Sequence, residues 1–217
     1  MKILFYGDSV TDCNRDYNNP ESIGEGYVKY TVESLKLAYE DADIEYINRG
    51  ISGNRTIDLL NRLDNDLIAH SPDIVTILIG VNDTWRRYDN NDPTSAEQFR
   101  ENYETILKRI KSETNAKIIM MEPFLIYGMG RDTYREDLNE KIDVERQLAK
   151  LYADYYLPLD GILAAAAVEY DDVSVISADG VHPAEEGKKI ISWHLLQILC
   201  DVIEQIMPEE VDEDEDN

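Results

Sequence analysis

Asp73-Ile74-Val75-Thr76-Ile77-Leu78-Ile79 is a nearly unbroken apolar run with no alternation of polar and apolar positions. A strand that reads this way is buried on both faces, as in a parallel sheet covered on both sides by helices. Ile118-Ile119-Met120-Met121, within Lys117–Glu122, has the same character. Outward from these two segments, Lys2–Tyr6, Ile44–Asn48 and Tyr155–Leu159 read as three more short strands, five in all. Helical spacing fills the intervals, with stripes at Val28, Val32, Leu35, Tyr39, at Phe99, Tyr103, Ile106, Leu107, Ile110, and at Ile191, Leu195, Ile198, Leu199, Val202, Ile206. A parallel crossover needs a connection long enough to carry a helix, so this alternation predicts a three-layer α/β/α sandwich around a five-stranded parallel sheet.

The 217 residues fit one domain, over residues 1–207, and 43% hydrophobic content suffices for a core without a cofactor. Residues 208–217 stand apart: seven acids and one apolar residue, Val211, predict a disordered acidic tail. The formal charge is −24, and removing the seven tail acids still leaves 21 − 38 = −17. A field of that sign repels polyanions, which argues against nucleic-acid and anionic-membrane partners. Cys13 and Cys200 match neither a disulfide framework nor a zinc-ligand spacing and read as two buried thiols. Met1-Lys2 runs straight into Ile3-Leu4-Phe5-Tyr6, leaving no room for a targeting segment, and a cytoplasmic protein is expected.

Ligands of open α/β sheets bind beyond the carboxyl ends of the strands. Four motifs fall there: Gly7-Asp8-Ser9 after the first strand, Gly50-Ile51-Ser52-Gly53-Asn54 after the second, Gly80-Val81-Asn82-Asp83 after the third, and Asp179-Gly180-Val181-His182-Pro183 before the last helix. A serine hydroxyl becomes a nucleophile only when a neighbouring base takes its proton. His70, ahead of Ser71-Pro72, and His194, inside the last amphipathic helix, read as structural. His182 lies in a loop three residues after Asp179, a carboxylate able to fix the imidazole tautomer and stabilise its protonated form. Asp8 reads as a loop brace; a phosphoryl-transfer aspartate would want a second one where Val10 stands.

These blocks, in this order, resemble the SGNH hydrolases, or GDSL esterases, whose name lists Ser, Gly, Asn and His; here they are Ser9, Gly53, Asn82 and His182. The resemblance runs from Lys2 to about Leu199. It implies a flavodoxin-like SGNH hydrolase fold, a Ser9-His182-Asp179 triad, and an oxyanion hole made of the Ser9 and Gly53 N–H groups and the Asn82 side chain. The strings Gly7-Asp8-Ser9-Val10-Thr11-Asp12-Cys13, Gly80-Val81-Asn82-Asp83-Thr84-Trp85-Arg86 and Met121-Glu122-Pro123-Phe124 resemble a narrower branch, intracellular acetylesterases acting on xylo-oligosaccharides. That branch implies small acyl groups on sugars, no cofactor, no metal and often a homo-oligomer. Trp85 then offers either a wall for a pyranose ring or core packing at a helix start, and Arg86 and Arg87 offer donors to hydroxyls. The loop Tyr127-Gly128-Met129-Gly130-Arg131 and the residues before His182 carry no diagnostic signal for this branch and are expected to bear on substrate choice.

Other functions keep the same scaffold. A lysophospholipase, thioesterase or general short-chain esterase would share the triad. A catalytically dead carbohydrate-binding module would not need it, and a flavodoxin-like phosphate binder would not place Asp8 and Asp12 in its first loop.

Overall fold

A computed structural model describes residues 1–207. The expected acidic tail, 208–217, lies outside the described residues. Five strands, β1 (Lys2–Gly7), β2 (Glu45–Gly50), β3 (Ile74–Leu78), β4 (Lys117–Met121) and β5 (Tyr155–Leu157), form one parallel sheet in the order β2-β1-β3-β4-β5. Eight α-helices accompany them among the described residues: α1 (Ser9–Asp12), α2 (Tyr27–Ala38), α3 (Thr56–Asp66), α4 (Val81–Asp89), α5 (Ala96–Glu113), α6 (Arg135–Tyr152), α7 (Leu159–Glu169) and α8 (Glu185–Ile206). The three-layer architecture and the parallel sheet are those expected from the alternating pattern.

Alternate strand residues serve opposite cores, as the two-residue period of a strand requires. Ile3 and Phe5 of β1, Ile74 and Leu78 of β3, and Ile119 and Met121 of β4 pack with α2, α7 and α8. Leu4 and Tyr6, Val75 and Ile77, and Ile118 and Met120 pack with α3, α5 and α6. The α5 stripe, Phe99 to Ile110, is fully buried. On α8, Ile191, Leu195, Leu199 and Val202 are buried, whereas Ile198 is half-buried and Ile206 is exposed at the helix end.

Strand ends shift by one or two residues from the expected ones. β5 stops at Leu157 because Pro158 follows, and Leu159 opens α7 instead of closing the strand. β2 begins at Glu45 and runs on to Gly50, where it pairs with Gly7 at the end of β1. Cys13 and Cys200 are unpaired but only half-buried, which corrects the expectation of two buried thiols. Among the described residues no helix is long and apolar enough to cross a membrane.

The order β2-β1-β3 sends the chain to opposite sides after β1 and β3, opening a crevice at their carboxyl ends. Gly50 is what lets α1 seat in that crevice. A Cβ added there would lie 2.2 Å from Asp12 N and 2.6 Å from Asp12 Cα, both backbone atoms with no freedom to rotate away. Gly50→Ala is expected to destabilise the chain by about 1–3 kcal/mol, lowering Tm by roughly 3 to 10 °C at this chain length. Calorimetry checks this, and an unchanged Tm would show that α1 yields.

Candidate active site

Ser9 is the first residue of α1, immediately after β1. Asp8 caps the short helix, its Oδ1 accepting from Val10 N at 3.0 Å, so the Ser9 side chain leaves the strand end at a turn held from both sides. The hydroxyl Oγ lies 2.9 Å from His182 Nε2. On the other side of the ring, Nδ1 lies 2.8 Å from Asp179 Oδ2. The second oxygen of Asp179 accepts the backbone N–H groups of Val181 at 2.9 Å and His182 at 2.8 Å, a compact Asx-type turn that fixes the carboxylate and the imidazole together. Burial pushes the Asp179 carboxyl up, but those two N–H groups and the imidazole outweigh it and hold the carboxyl down at about 2. It is therefore a permanent anion beside the ring.

Gly53 and Asn82 converge from the ends of β2 and β3. Gly53 adopts φ +84°, a left-handed conformation that a side chain disfavours. Its turn is tied to α1 through Asp12, whose Oδ2 accepts Ser52 N at 3.0 Å and Ser52 Oγ at 2.5 Å. The Asn82 amide nitrogen donates to Asn54 O at 3.1 Å and to Asp8 Oδ2 at 3.3 Å, so it stands at the junction of the three loops. Next along α4, Asp83 accepts Thr56 N at 3.0 Å and Thr56 Oγ1 at 2.7 Å, docking the start of α3.

Trp85 and Arg86 follow Asn82 on α4 at i+3 and i+4, which places all three on one face. Trp85 is half-buried, packed against the small core of Val81, Leu125, Leu138, Ile142 and Val181, with its ring 5.8 Å from that of His182. The two expectations for Trp85 thus meet in one residue: it packs at a helix start and it borders the imidazole. Arg86 pairs with Asp89, and its Nη2 is the group that a Cβ on Gly53 would meet, at 3.3 Å. Arg87 turns away to Asp137 at 2.6 Å. His70 sits 3.2 Å from Arg49 Nη2, and His194 stacks edge-on to Trp193 on α8, both apart from Ser9.

Arg131 is not singled out within its loop by the sequence. Its guanidinium lies 4.3 Å over the Trp85 ring, hydrogen-bonds the Asp179 carbonyl, and stands 3.8 Å from Asp179 Oδ2. One residue therefore links the indole to the acid of the Asp-His pair. The loop carrying it is hooked to the same segment by Ile126 N donating to Gly180 O at 2.8 Å. The available signal was positional: a basic residue in a Gly-flanked loop past the carboxyl end of β4.

Comparison with known proteins places the chain in a family. The model of the GDSL-like lipase/acylhydrolase family matches residues 5–190. The chain belongs to that family. As a GDSL-family acylhydrolase it is a carboxylic ester hydrolase. It is 35% identical over 207 residues, 90% of this chain and 92% of the relative, to an acetylxylan esterase of Geobacillus stearothermophilus. The solved structure of an acetylxylan esterase from the same organism, Axe2, superposes with TM-score 0.82 at 31% identity, covering 90% of this chain and 92% of the other. Its crystal structures include catalytic mutants in which a serine, an aspartate and the histidine three positions after that aspartate are each replaced by alanine. A GDSL-like lipase from Parabacteroides merdae superposes with TM-score 0.86 at 31% identity, covering 90% and 94% of the two chains.

Two buried carboxylates in this family member carry a pH signature. Burial drives Asp8 up to about 7 against the pull of the Val10 N–H, and drives Asp83 up to about 6 against its bonds from Thr56. The folded chain thus holds protons that the unfolded chain gives up above about pH 4. Each group lowers stability as pH rises from there through its folded value. Asp8→Asn is therefore expected to gain Tm relative to the parent by more at about pH 8 than at about pH 4.5. Equal differences at both would show Asp8 ionised throughout.

Proposed function

We propose that the chain is a serine esterase that removes short acyl groups, acetyl above all, from carbohydrates. The observation that carries this reading is the hydrogen-bonded run Ser9 Oγ, His182 Nε2, His182 Nδ1, Asp179 Oδ2, at 2.9 and 2.8 Å.

In this reading Ser9 Oγ attacks the ester carbonyl carbon while His182 Nε2 takes the hydroxyl proton, and Asp179, anionic throughout, steadies the imidazolium. Negative charge gathers on the former carbonyl oxygen, which receives the Ser9 and Gly53 N–H groups and the Asn82 amide. Of the two internal contacts of that amide, the 3.3 Å one to Asp8 is the weaker and the one an oxyanion displaces. The C–O bond to the sugar then breaks, with the proton returned from His182 to the leaving oxygen, and an acyl-Ser9 remains. Water, deprotonated by the same imidazole, attacks it and releases the acid. No step needs a metal or an organic cofactor.

The small acyl group is supported by the 35% identical relative, an acetylxylan esterase of Geobacillus stearothermophilus. The carbohydrate is supported by the same relative. Arg86 beside Gly53 and Arg131 over Trp85 supply donors for sugar hydroxyls. A cytoplasmic placement belongs to the same reading, supported by the two unpaired cysteines.

The test is a hydrolysis panel. Acetylated xylo-oligosaccharides are expected to be deacetylated, and kcat/KM for nitrophenyl esters to fall from acetyl through butyryl to octanoyl. Ser9→Ala is expected to remove nearly all turnover with folding intact. Asn82→Ala is expected to lower kcat by roughly 10² to 10³ with KM much less changed. A preference for octanoyl esters would instead favour a lysophospholipase or thioesterase, and wild-type turnover in Ser9→Ala would overturn the triad.

A further inference from the structure

The proposed oxyanion hole draws its donors from three strand ends, and their mutual placement has to hold to within about half an ångström to be catalytically useful. Asp12 and Asn82 tie the three loops together from the crevice side. On the α3 side a single side chain joins the ends of β1 and β2 to the turn that follows Gly53. Arg62, on α3, has 14% of its side chain exposed, and its guanidinium makes four hydrogen bonds in different directions. Nη2 donates to Gly7 O at 2.9 Å, two residues before Ser9. Nε donates to Asn54 Oδ1 at 2.8 Å, one residue after Gly53. Nη1 donates to Arg49 O at 2.9 Å, near the end of β2, and to Asp66 Oδ2 at 2.8 Å, which balances the charge. The guanidinium carbon rests 4.5 Å from the centre of the Tyr6 ring, so its plane is held as well as its edges.

We propose that Arg62 is the positioning residue of the oxyanion hole, a clamp that fixes the Gly53-Asn54 turn against the end of β1. The route to Asn82 is short: Arg62 holds the Asn54 side chain, and the Asn54 carbonyl receives the Asn82 amide. Only arginine offers enough donors in a rigid fork to join these partners at once; lysine, with one nitrogen on a flexible stem, cannot span them. Arg62 touches no reacting atom, so its contribution appears in the transition state through the groups it aims. The inference rests on the esterase reading above.

A double-mutant cycle with nitrophenyl acetate distinguishes aiming from scaffolding. Arg62→Met in the full chain is expected to lower kcat roughly 10- to 100-fold, the scale of a sub-ångström to ångström misplacement, with KM changed less than about threefold. In an Asn82→Ala background the same substitution is expected to cost clearly less in kcat than in the parent, since one of the two donors it positions, the Asn82 amide, is already gone while the Gly53 N–H remains. Arg62→Lys should behave like Arg62→Met. Where Arg62→Met fails to fold, Asn54→Ala removes the Nε partner alone and enters the same cycle, with the same non-additivity expected. Full, multiplicative costs in both backgrounds, a loss confined to KM, or unchanged kcat would each overturn the positioning role. A Ser9→Ala chain as active as the parent overturns the esterase reading and this inference with it. An inactive Ser9→Ala chain with additive costs overturns this inference alone.

Discussion

The hydrogen bond between Ser9 Oγ and His182 Nε2 joins two residues 173 positions apart, and the rest of the molecule can be understood as what makes a 2.9 Å contact between them reproducible. Neither side chain is deeply buried, so packing around the pair is not what holds it. Precision comes from the segments beneath. Ser9 leaves a central strand flanked by β2 and β3, and His182 sits on a turn closed by the carboxylate that also faces its ring. Both ends of the contact are therefore anchored by hydrogen-bonded backbone.

The same arrangement places two carboxyl groups, Asp8 and Asp83, where they are nearly inaccessible to water. Their burial opposes ionisation, and the bonds they accept from Val10 and Thr56 only partly offset it. Polar groups retained in such positions mark sites where geometry outweighs stability. Each of these acids docks one loop of the crevice: Asp8 the Ser9 turn and the Asn82 amide, Asp83 the start of the helix that follows Gly53.

The sheet was legible because its signal is local. Val75–Ile79 and Ile118–Met121 have no polar alternation, and doubly buried strands require none. The short blocks around Ser9, Gly53, Asn82 and His182 were legible as chemistry, since few residue types can serve as nucleophile, base or carboxamide donor. Arg62 and Arg131 were not. A surface-helix arginine and a loop arginine look alike in sequence whether they face water or donate to strand-end and loop oxygens, and only the crossing of α3 over β1, or of the 127–131 loop over Trp85, tells them apart. The end of β5 was misplaced for a simpler reason: Tyr155–Leu159 is apolar throughout, and the break at Pro158 was read through.

Helix α4 carries Asn82, Trp85 and Arg86 on one face within little more than a turn. A rigid rod cannot move one of these without moving the others. On the proposed reading, a shift in the pose of α4 would therefore alter carbonyl polarisation by Asn82 and ligand contacts of Trp85 and Arg86 together. The side chains at 85 and 86 and the loop bearing Arg131 can be replaced while the amide stays in place. On the proposed reading, a scaffold built this way lets what is recognised change without changing how it is cleaved.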